Sequence, residues 1–485
     1  MLEYALLLFF ILILVVCLRD RKYKLPPQIT GYGIPIISPM LAFAKNPRDL
    51  FQFCTKKYAK EGVARISIFG FVNFHIFFGP QFLEAFFRLP ENELSLGEAA
   101  KFAVGPLLGD IDVAMSSEVV HKIDVKPSIK KTEEKAQMTM TTDWIRKAIQ
   151  APTQLDYMFD TASKVVNDYM TEFSKRETKT FDLFEEMYKL VVSINVRCFV
   201  GDEVEEYCDE LVHLLWVIEY YGTTMKSLFN PLSSERRKSV NARHRLTEII
   251  GKIRDKRLQN IKDGTHNGSR DVLQVNIDMG RTDASIVASL LGLFFAAQTN
   301  TVSTSAWTLA YLATHPEWQE KIRNEIPSEE LTHEDCKDLV QLGASLSETV
   351  RKNALAFMFR KALKNINVEG VTIKKGDYCI ISPSILHMNE SLYPNPEQWN
   401  PERFLKDGGN YKTAALKFGK NFVQWGFHSH RCLGEQFATL VMKITVTNFI
   451  RRYKLSTSDK LELDFSKALG MPFAKGHVMI RAEPL

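Results

Sequence analysis

The chain has 485 residues, of which 45% are hydrophobic, 11% aromatic and 25% charged, a composition with enough apolar material for a large core that excludes disorder, a fibre and a disulfide miniprotein. Lys and Arg number 62 against 57 Asp and Glu, a net charge of +5, which lacks the basic footprint of a nucleic-acid binder. Cys17, Cys54, Cys198, Cys208, Cys336, Cys379 and Cys432 are dispersed without a CxxC pair, so neither a zinc cluster nor a disulfide framework is expected, and a reducing compartment is.

Tyr4 to Leu18 carry no charge and are followed by Arg19-Asp20-Arg21-Lys22. As a helix this run spans about 22 Å against a hydrocarbon core of about 30 Å, a gap that bilayer thinning and snorkelling arginines can close. Glu3 and the bulky charged residues after the run fit a retained anchor better than a cleaved signal peptide. Residues 1–18 are therefore expected to form one transmembrane helix, with its basic flank holding the rest of the chain in the cytosol. The sequons at Asn267 and Asn389 would then stay unmodified. Residues 19–45, with Pro26, Pro27, Gly31, Gly33, Pro35 and Pro39, read as a basic, stiff hinge. Residues 46–485 read as one domain, the catalytic domain by the resemblance described below.

Helical periodicity predominates in that domain, as at Arg48 to Tyr58 and Thr161 to Glu177. Strand pairs are expected at Ala64–Phe69 with Phe74–Phe78 across Gly70, and at Val368–Ile373 with Tyr378–Ser382 across Gly376. Leu211 to Leu232, broken by Pro231, reads as helix, turn and helix, either core or an exposed apolar loop at a membrane. Asp255 to Asp283 reads as a long polar loop. Ala284 to Thr314 has no proline and almost no charge, as expected of a helix buried all round.

Near the C-terminus stands Trp425-Gly-Phe-His-Ser-His-Arg-Cys432-Leu-Gly434-Glu, followed by an apolar helical run from Phe437. Gly426 and Gly434 on either side of the cysteine let backbone approach a flat ligand. A helix start just after the sulfur stabilises a thiolate, the form that binds metal. Taken alone, the segment is also compatible with a structural buried cysteine. Upstream, Glu348-Thr-Val-Arg351 sets an acid and a base on one helical face, and Pro401-Glu-Arg403-Phe404 follows Tyr393-Pro-Asn-Pro396.

In this order, anchor, proline hinge, long apolar helix, E-x-x-R, P-E-R-F and cysteine loop resemble a membrane-bound, microsomal-type cytochrome P450 over essentially the whole chain. The resemblance implies a mainly α haem-thiolate fold with small β-sheets, haem b as cofactor and Cys432 as the iron ligand. It makes Glu348, Arg351 and Arg403 a structural triad bracing the cysteine loop. His430 and Arg360 match positions that meet the haem propionates. The usual W-x-x-x-R of the family is absent, leaving Lys122 and Lys126 as candidates for that task. Trp425 stands where Phe is usual, and His428 where the loop commonly has its second glycine.

In the long helix the run Ala296-Ala297-Gln298-Thr299-Asn300-Thr301 departs from the family's A-G-x-acid-Thr. It puts Thr299 at the acid position and Asn300 at the alcohol position, so proton delivery would run through water, Thr299 or Thr301. This run resembles the branch containing cholesterol 7α-hydroxylase and prostacyclin synthase, and also sterol 14α-demethylases. Phe294, Phe295, Ala296, Thr299, Leu355 and Met358 are the expected pocket lining.

The resemblance implies a monooxygenase of the endoplasmic reticulum membrane that oxidises a sterol, terpenoid or other lipophilic specialised metabolite. NADPH-cytochrome P450 reductase would supply electrons, with cytochrome b5 as a further partner, and Lys417, Lys420 and Arg431 are candidate contacts for an acidic redox protein. Asn300 keeps open an isomerase or dehydratase that needs neither oxygen nor reductase. A non-catalytic membrane haem protein is the remaining alternative.

Overall fold

The helices begin where prolines and short polar side chains relieve the unpaired amides of the first turn. In the computed structural model, which describes residues 24–30, 39, 42, 47–68, 72–103, 105, 144–224, 227, 230, 232–354, 357–405, 421–465 and 470–485, α1 (Pro47–Lys57), α2 (Pro80–Arg88), α4 (Pro152–Lys175), α10 (Pro316–Glu325) and α12 (Pro383–His387) all start on proline. The Asp182 carboxylate accepts from the amides of Phe184 and Glu185 at 3.0 and 3.1 Å to start α5 (Leu183–Val200). Ser233 caps α7 (Ser234–Lys262), Asp271 caps α8 (Val272–Asp278) and Thr282 caps the long α9 (Asp283–Thr314). The remaining helices that matter here are α3 (Leu96–Ala103), α6 (Cys208–Gly222), α11 (Val340–Asn353) and α13 (Glu435–Arg452).

The helical body packs around α9, which lies along α5 and α13. Trp307, fully buried on α9, meets Phe184 of α5 edge to face at 5.1 Å. Phe199 of α5 lies between Phe294 of α9 and Phe437 of α13, at 5.7 and 5.1 Å. These aromatic contacts lock three helices that hydrophobic burial alone would leave free to slide.

The largest sheet has strand order β1 (Val63–Ile68), β2 (Val72–Phe77), β8 (Tyr378–Ile381), β5 (Met358–Ala362) and β3 (Leu94–Ser95). The expected β1–β2 hairpin is present, with Val63 opposite Phe77. The second expected pair is corrected: β6 (Ile366–Val368) pairs with β7 (Val371–Ile373), and β8 instead pairs parallel to β2 and antiparallel to β5. Glu369 and Gly370 both take positive φ, 50° and 75°, the requirement of a tight hairpin turn, so the chain reverses there rather than at Gly376. A third sheet joins β4 (Thr180–Asp182), β10 (Met479–Pro484) and β9 (Tyr453–Ser456), with β10 in the middle.

Three further expectations change. The stretch 255–283 is largely helical, being the end of α7, then α8 and the start of α9. The helix expected from Thr161 begins at Pro152, where the proline can occupy its first turn. Within 211–232, Leu214, Leu215 and Ile218 are buried while Trp216, Tyr220 and Leu232 are exposed, and Leu228, Phe229 and Pro231 lie outside the described residues. So do the expected anchor, Lys122, Lys126, Leu355, Lys417 and Lys420. Among the described residues, α9 is the one helix long and apolar enough to cross a membrane, and its packing makes it the core helix.

A buried ion cluster explains why the polar stretch after α7 folds back. Arg257 donates to both Glu203 oxygens at 2.5 Å, to Asp271 Oδ2 at 2.9 Å and to the Val200 carbonyl at 3.0 Å. Gly201, at φ 83°, has no room for a side chain because any Cβ would collide with Asp271 and Arg257. Removing the guanidinium strands two inward-facing carboxylates. Arg257→Met should therefore lower stability by about 3–5 kcal/mol, read as a shift in the urea-unfolding curve.

Candidate active site

An ion pair buried in α11 anchors the site. Arg351 donates from Nε to Glu348 Oε2 at 2.6 Å and from a terminal nitrogen to Oε1 at 2.8 Å, with both residues fully buried. Arg403 donates to the same Oε1 at 3.3 Å, so the three residues of the expected triad do meet. The remaining Arg351 donors reach the carbonyls of His387 and Pro396, both at 2.7 Å. Glu348 Oε1 also accepts the Asn400 amide at 2.9 Å. One helix turn thus ties down the whole proline-rich segment 387–403.

That segment passes the constraint on to the cysteine loop. The His387 Nε2 accepts the Val423 amide at 3.2 Å, and the Tyr393 hydroxyl donates to the Asn421 carbonyl at 3.2 Å. His387 was not singled out from the sequence; an isolated histidine in an apolar stretch carries no local signal of a partner 36 positions away. Gln150 is another such residue, donating to the Leu433 carbonyl at 2.8 Å beside the cysteine.

Loop geometry is specified by glycine at one position and tolerated by histidine at another. Gly426 has φ 73°, and a Cβ there would collide with the His430 carbonyl. His428 has φ 51°, so it takes the left-handed conformation itself rather than changing the loop, a conformation that histidine visits more readily than most residues. Its ring meets Phe427 edge to face at 4.3 Å and accepts from Arg88 Nε at 3.4 Å. The Cys432 amide donates to the Trp425 carbonyl at 2.6 Å. The thiol sits just before α13, within reach of the Gly434 and Glu435 amides. Burial raises the thiol, and those amides oppose the rise.

Helix α9 has a partly open face of its own. Along this mostly buried helix, Gly292 is partly open and Ala296 and Asn300 are exposed, an i, i+4, i+8 stripe on one face. The other site candidates on α9 point elsewhere. Phe294 is 1% exposed and packs on Phe199, which corrects its assignment to the pocket lining. Thr299 and Thr301 are buried as well, while Phe295 is partly open. Met358 is half-buried on β5, opposite Ile381.

The cationic candidates are close together. Arg360, on β5, donates to the carbonyls of Phe86 and, at 3.0 Å, Leu89, while its buried Nε has no hydrogen-bond partner among the described residues. Burial first, then the Arg360 charge, lowers His430. A planar macrocycle with an anionic edge suits this set: an open thiol at a helix start, small residues on an open stripe of α9, and a buried guanidinium N–H without an acceptor among the described residues.

Burial, with Arg351 second, pushes His387 down to about 3. The ring is neutral at pH 7, and because Nε2 accepts, its proton is on Nδ1. The unfolded chain binds a proton near pH 6.5 and the folded chain does not, so this contribution to stability is complete above pH 6.5 and is lost as pH falls from there toward 3. Its slope is about 1.4 kcal/mol per pH unit inside that window. In urea unfolding repeated between pH 7 and 5, His387→Asn should show a pH slope shallower by about one proton.

Residues 133–478 match the family model for cytochrome P450, well over half the chain. The chain is 25% identical over 471 residues to beta-amyrin 11-oxidase of Glycyrrhiza uralensis, spanning 90% of this chain and 87% of that protein. It is 26% identical over 493 residues to sterol 14-demethylase of Arabidopsis thaliana, spanning 95% and 92%. The fold matches that of retinoic acid-bound cyanobacterial CYP120A1 with a TM-score of 0.74 at 20% identity, covering 96% of this chain and 100% of the other. With family model and fold in agreement, the chain belongs to the cytochrome P450 family, as a haem-thiolate monooxygenase supplied with electrons by a reductase.

Proposed function

We propose that Cys432 is the thiolate ligand of haem b and that the enzyme oxidises a polycyclic, sterol- or terpenoid-like substrate. The observation that carries the reading is the open Cys432 sulfur at the start of α13, with α13 packed along the helix that bears the open stripe. When bound, a thiolate-ligated haem supplies oxygen activation, placing one atom of dioxygen in the substrate. The chain's own residues do the rest. Gly434, where an added Cβ would stand 3.8 Å from the sulfur, keeps the approach clear. Trp425 packs a half-buried apolar plate behind the loop. Arg360 and His430 would hold the carboxylate edge of the macrocycle. Lys122 and Lys126 remain candidates for the same edge.

Phe295, Ala296, Leu355 and Met358 would form apolar walls, which orient a substrate by exclusion of water more than by hydrogen bonds. The polycyclic class is suggested by the names of the relatives, a beta-amyrin oxidase and a sterol demethylase. No titratable group stands on the open stripe of α9. Proton delivery would therefore rest on water, with the buried Thr299 hydroxyl, which has no hydrogen-bond partner among the described residues, as an anchoring point.

Residues 1–18 would anchor the enzyme in the endoplasmic reticulum membrane as a single pass, with residues 19–45 as hinge and 46–485 facing the cytosol. NADPH-cytochrome P450 reductase would dock on the cysteine side, with cytochrome b5 as a second donor. Arg431, one candidate contact there, is already paired with Glu435 at 2.7 Å.

Two measurements test this reading. The reduced protein under carbon monoxide should show the strongly red-shifted band of a thiolate-ligated haem, and Cys432→Ser should abolish both that band and substrate-stimulated NADPH oxidation. Deleting residues 1–18 should move most of the protein from the membrane pellet to the supernatant while keeping the band. Persistence of the red-shifted band in Cys432→Ser would overturn the ligand assignment.

A further inference from the structure

The segment 470–472 lies against α9 more closely than ordinary side chains would permit. Gly470 has φ 112°, and a Cβ there would stand 2.6 Å from the Thr299 methyl and 3.4 Å from Asn300 Oδ1. The Pro472 carbonyl accepts from both Ser303 Oγ and Trp307 Nε1 at 2.8 Å. Thr304 Oγ1 adds a contact of 3.2 Å to the Met471 sulfur. Groups on three successive turns of α9 thus fix the backbone of this segment. Its Met471 amide donates to Asn300 Oδ1 at 2.9 Å.

A backbone amide can only donate, so the atom facing Met471 must be the carboxamide oxygen. The amide nitrogen of Asn300 is then directed away from Met471, and among the described residues it has no protein acceptor. Asn300 itself is exposed on the stripe at whose other positions stand Gly292 and Ala296. An asparagine free to flip could accept from a hydroxyl as readily as it donates to a carbonyl. This one is held in a single orientation.

We infer that Asn300 is a fixed hydrogen-bond donor, oriented by the Met471 amide, that selects a ligand presenting an acceptor oxygen. That oxygen has two possible sources, a carbonyl or ether oxygen carried by the substrate, or the outer atom of a diatomic on the haem iron. The inference rests on the proposed function, because both sources require the haem site. A donor left without an acceptor in a desolvated site discriminates strongly against the ligand lacking one. Gly470 is a positioning residue in this scheme; it touches no ligand and acts by admitting the segment to α9.

The test uses the full-length holoprotein at pH 8 with Asn300→Asp and Asn300→Ala. The aspartate, ionised there and favoured by the Met471 N–H, keeps the acceptor for that amide and removes the donor. Alanine removes both. Binding of 5α-androstan-17-one and of 5α-androstane is followed by optical titration, and the CO stretch of the reduced carbon monoxide complex by infrared spectroscopy. If the acceptor belongs to the substrate, wild type should bind the ketone at least about tenfold more tightly than the hydrocarbon, and Asn300→Asp should lose that preference with an unchanged CO stretch. If it belongs to the iron-bound diatomic, Asn300→Asp should raise the CO stretch and leave the binding ratio alone. An Asn300→Asp protein equal to wild type in both readouts overturns the inference. Absence of the thiolate band in wild type would instead overturn the proposed function, so the two failures are separable.

Discussion

The buried pair of Glu348 and Arg351 is the constraint on which the site depends. Fully desolvated charges are costly unless each lone pair and proton finds a partner, and here each does: the guanidinium reaches two carboxylate oxygens and the carbonyls of His387 and Pro396, while the carboxylate also takes Arg403 and the Asn400 amide. The pair cannot be satisfied unless the chain from 387 to 403 lies in one path. Electrostatic need is thereby converted into backbone position. From His387 and Tyr393 that position reaches Val423 and Asn421, at the start of the cysteine loop.

Within the loop the balance is between backbone strain and reach. Gly426 turns without cost, whereas His428 holds a left-handed conformation that costs a non-glycine residue about 1 kcal/mol or more. Contacts with Phe427 and Arg88 offset part of that cost. The thiol is placed where burial resists ionisation and the first amides of α13 assist it. A metal cation shifts such a balance to the thiolate, so ligand chemistry and cofactor binding are coupled by the same surroundings.

Helix α9 shows how a core element can also be a site. Its hydroxyls and aromatic rings are mostly used internally: Thr308 bonds to Thr304, Trp307 to Pro472 and Tyr311 to Asn353. Midway along it the stripe of Gly292, Ala296 and Asn300 opens outward, because small residues there leave room where Leu or Phe would close it. The C-terminal segment that staples Asn300 comes from the far end of the chain. A contact between positions 300 and 471 therefore sets what the open face offers to a ligand.

Local chemistry made much of the molecule legible from the sequence. The continuous apolar run of α9, the β1–β2 hairpin, the E-x-x-R spacing and the cysteine loop all act over a few residues, so their patterns survive in linear order. What required tertiary structure depends on distant partners. The pairing of β8 with β2 and β5 rather than with β7 follows from sheet assembly. The helices in 255–283 stand because Arg257 finds Glu203 and Asp271. Phe294 looked like pocket lining from its place near the Ala296 motif, but helical phase turns it to the core and leaves Ala296 and Asn300 open. The residue type at 300 could be read from the sequence as a departure from an alcohol, but its role as donor could not. That is decided by which end of a carboxamide an amide 171 residues away will accept as its partner.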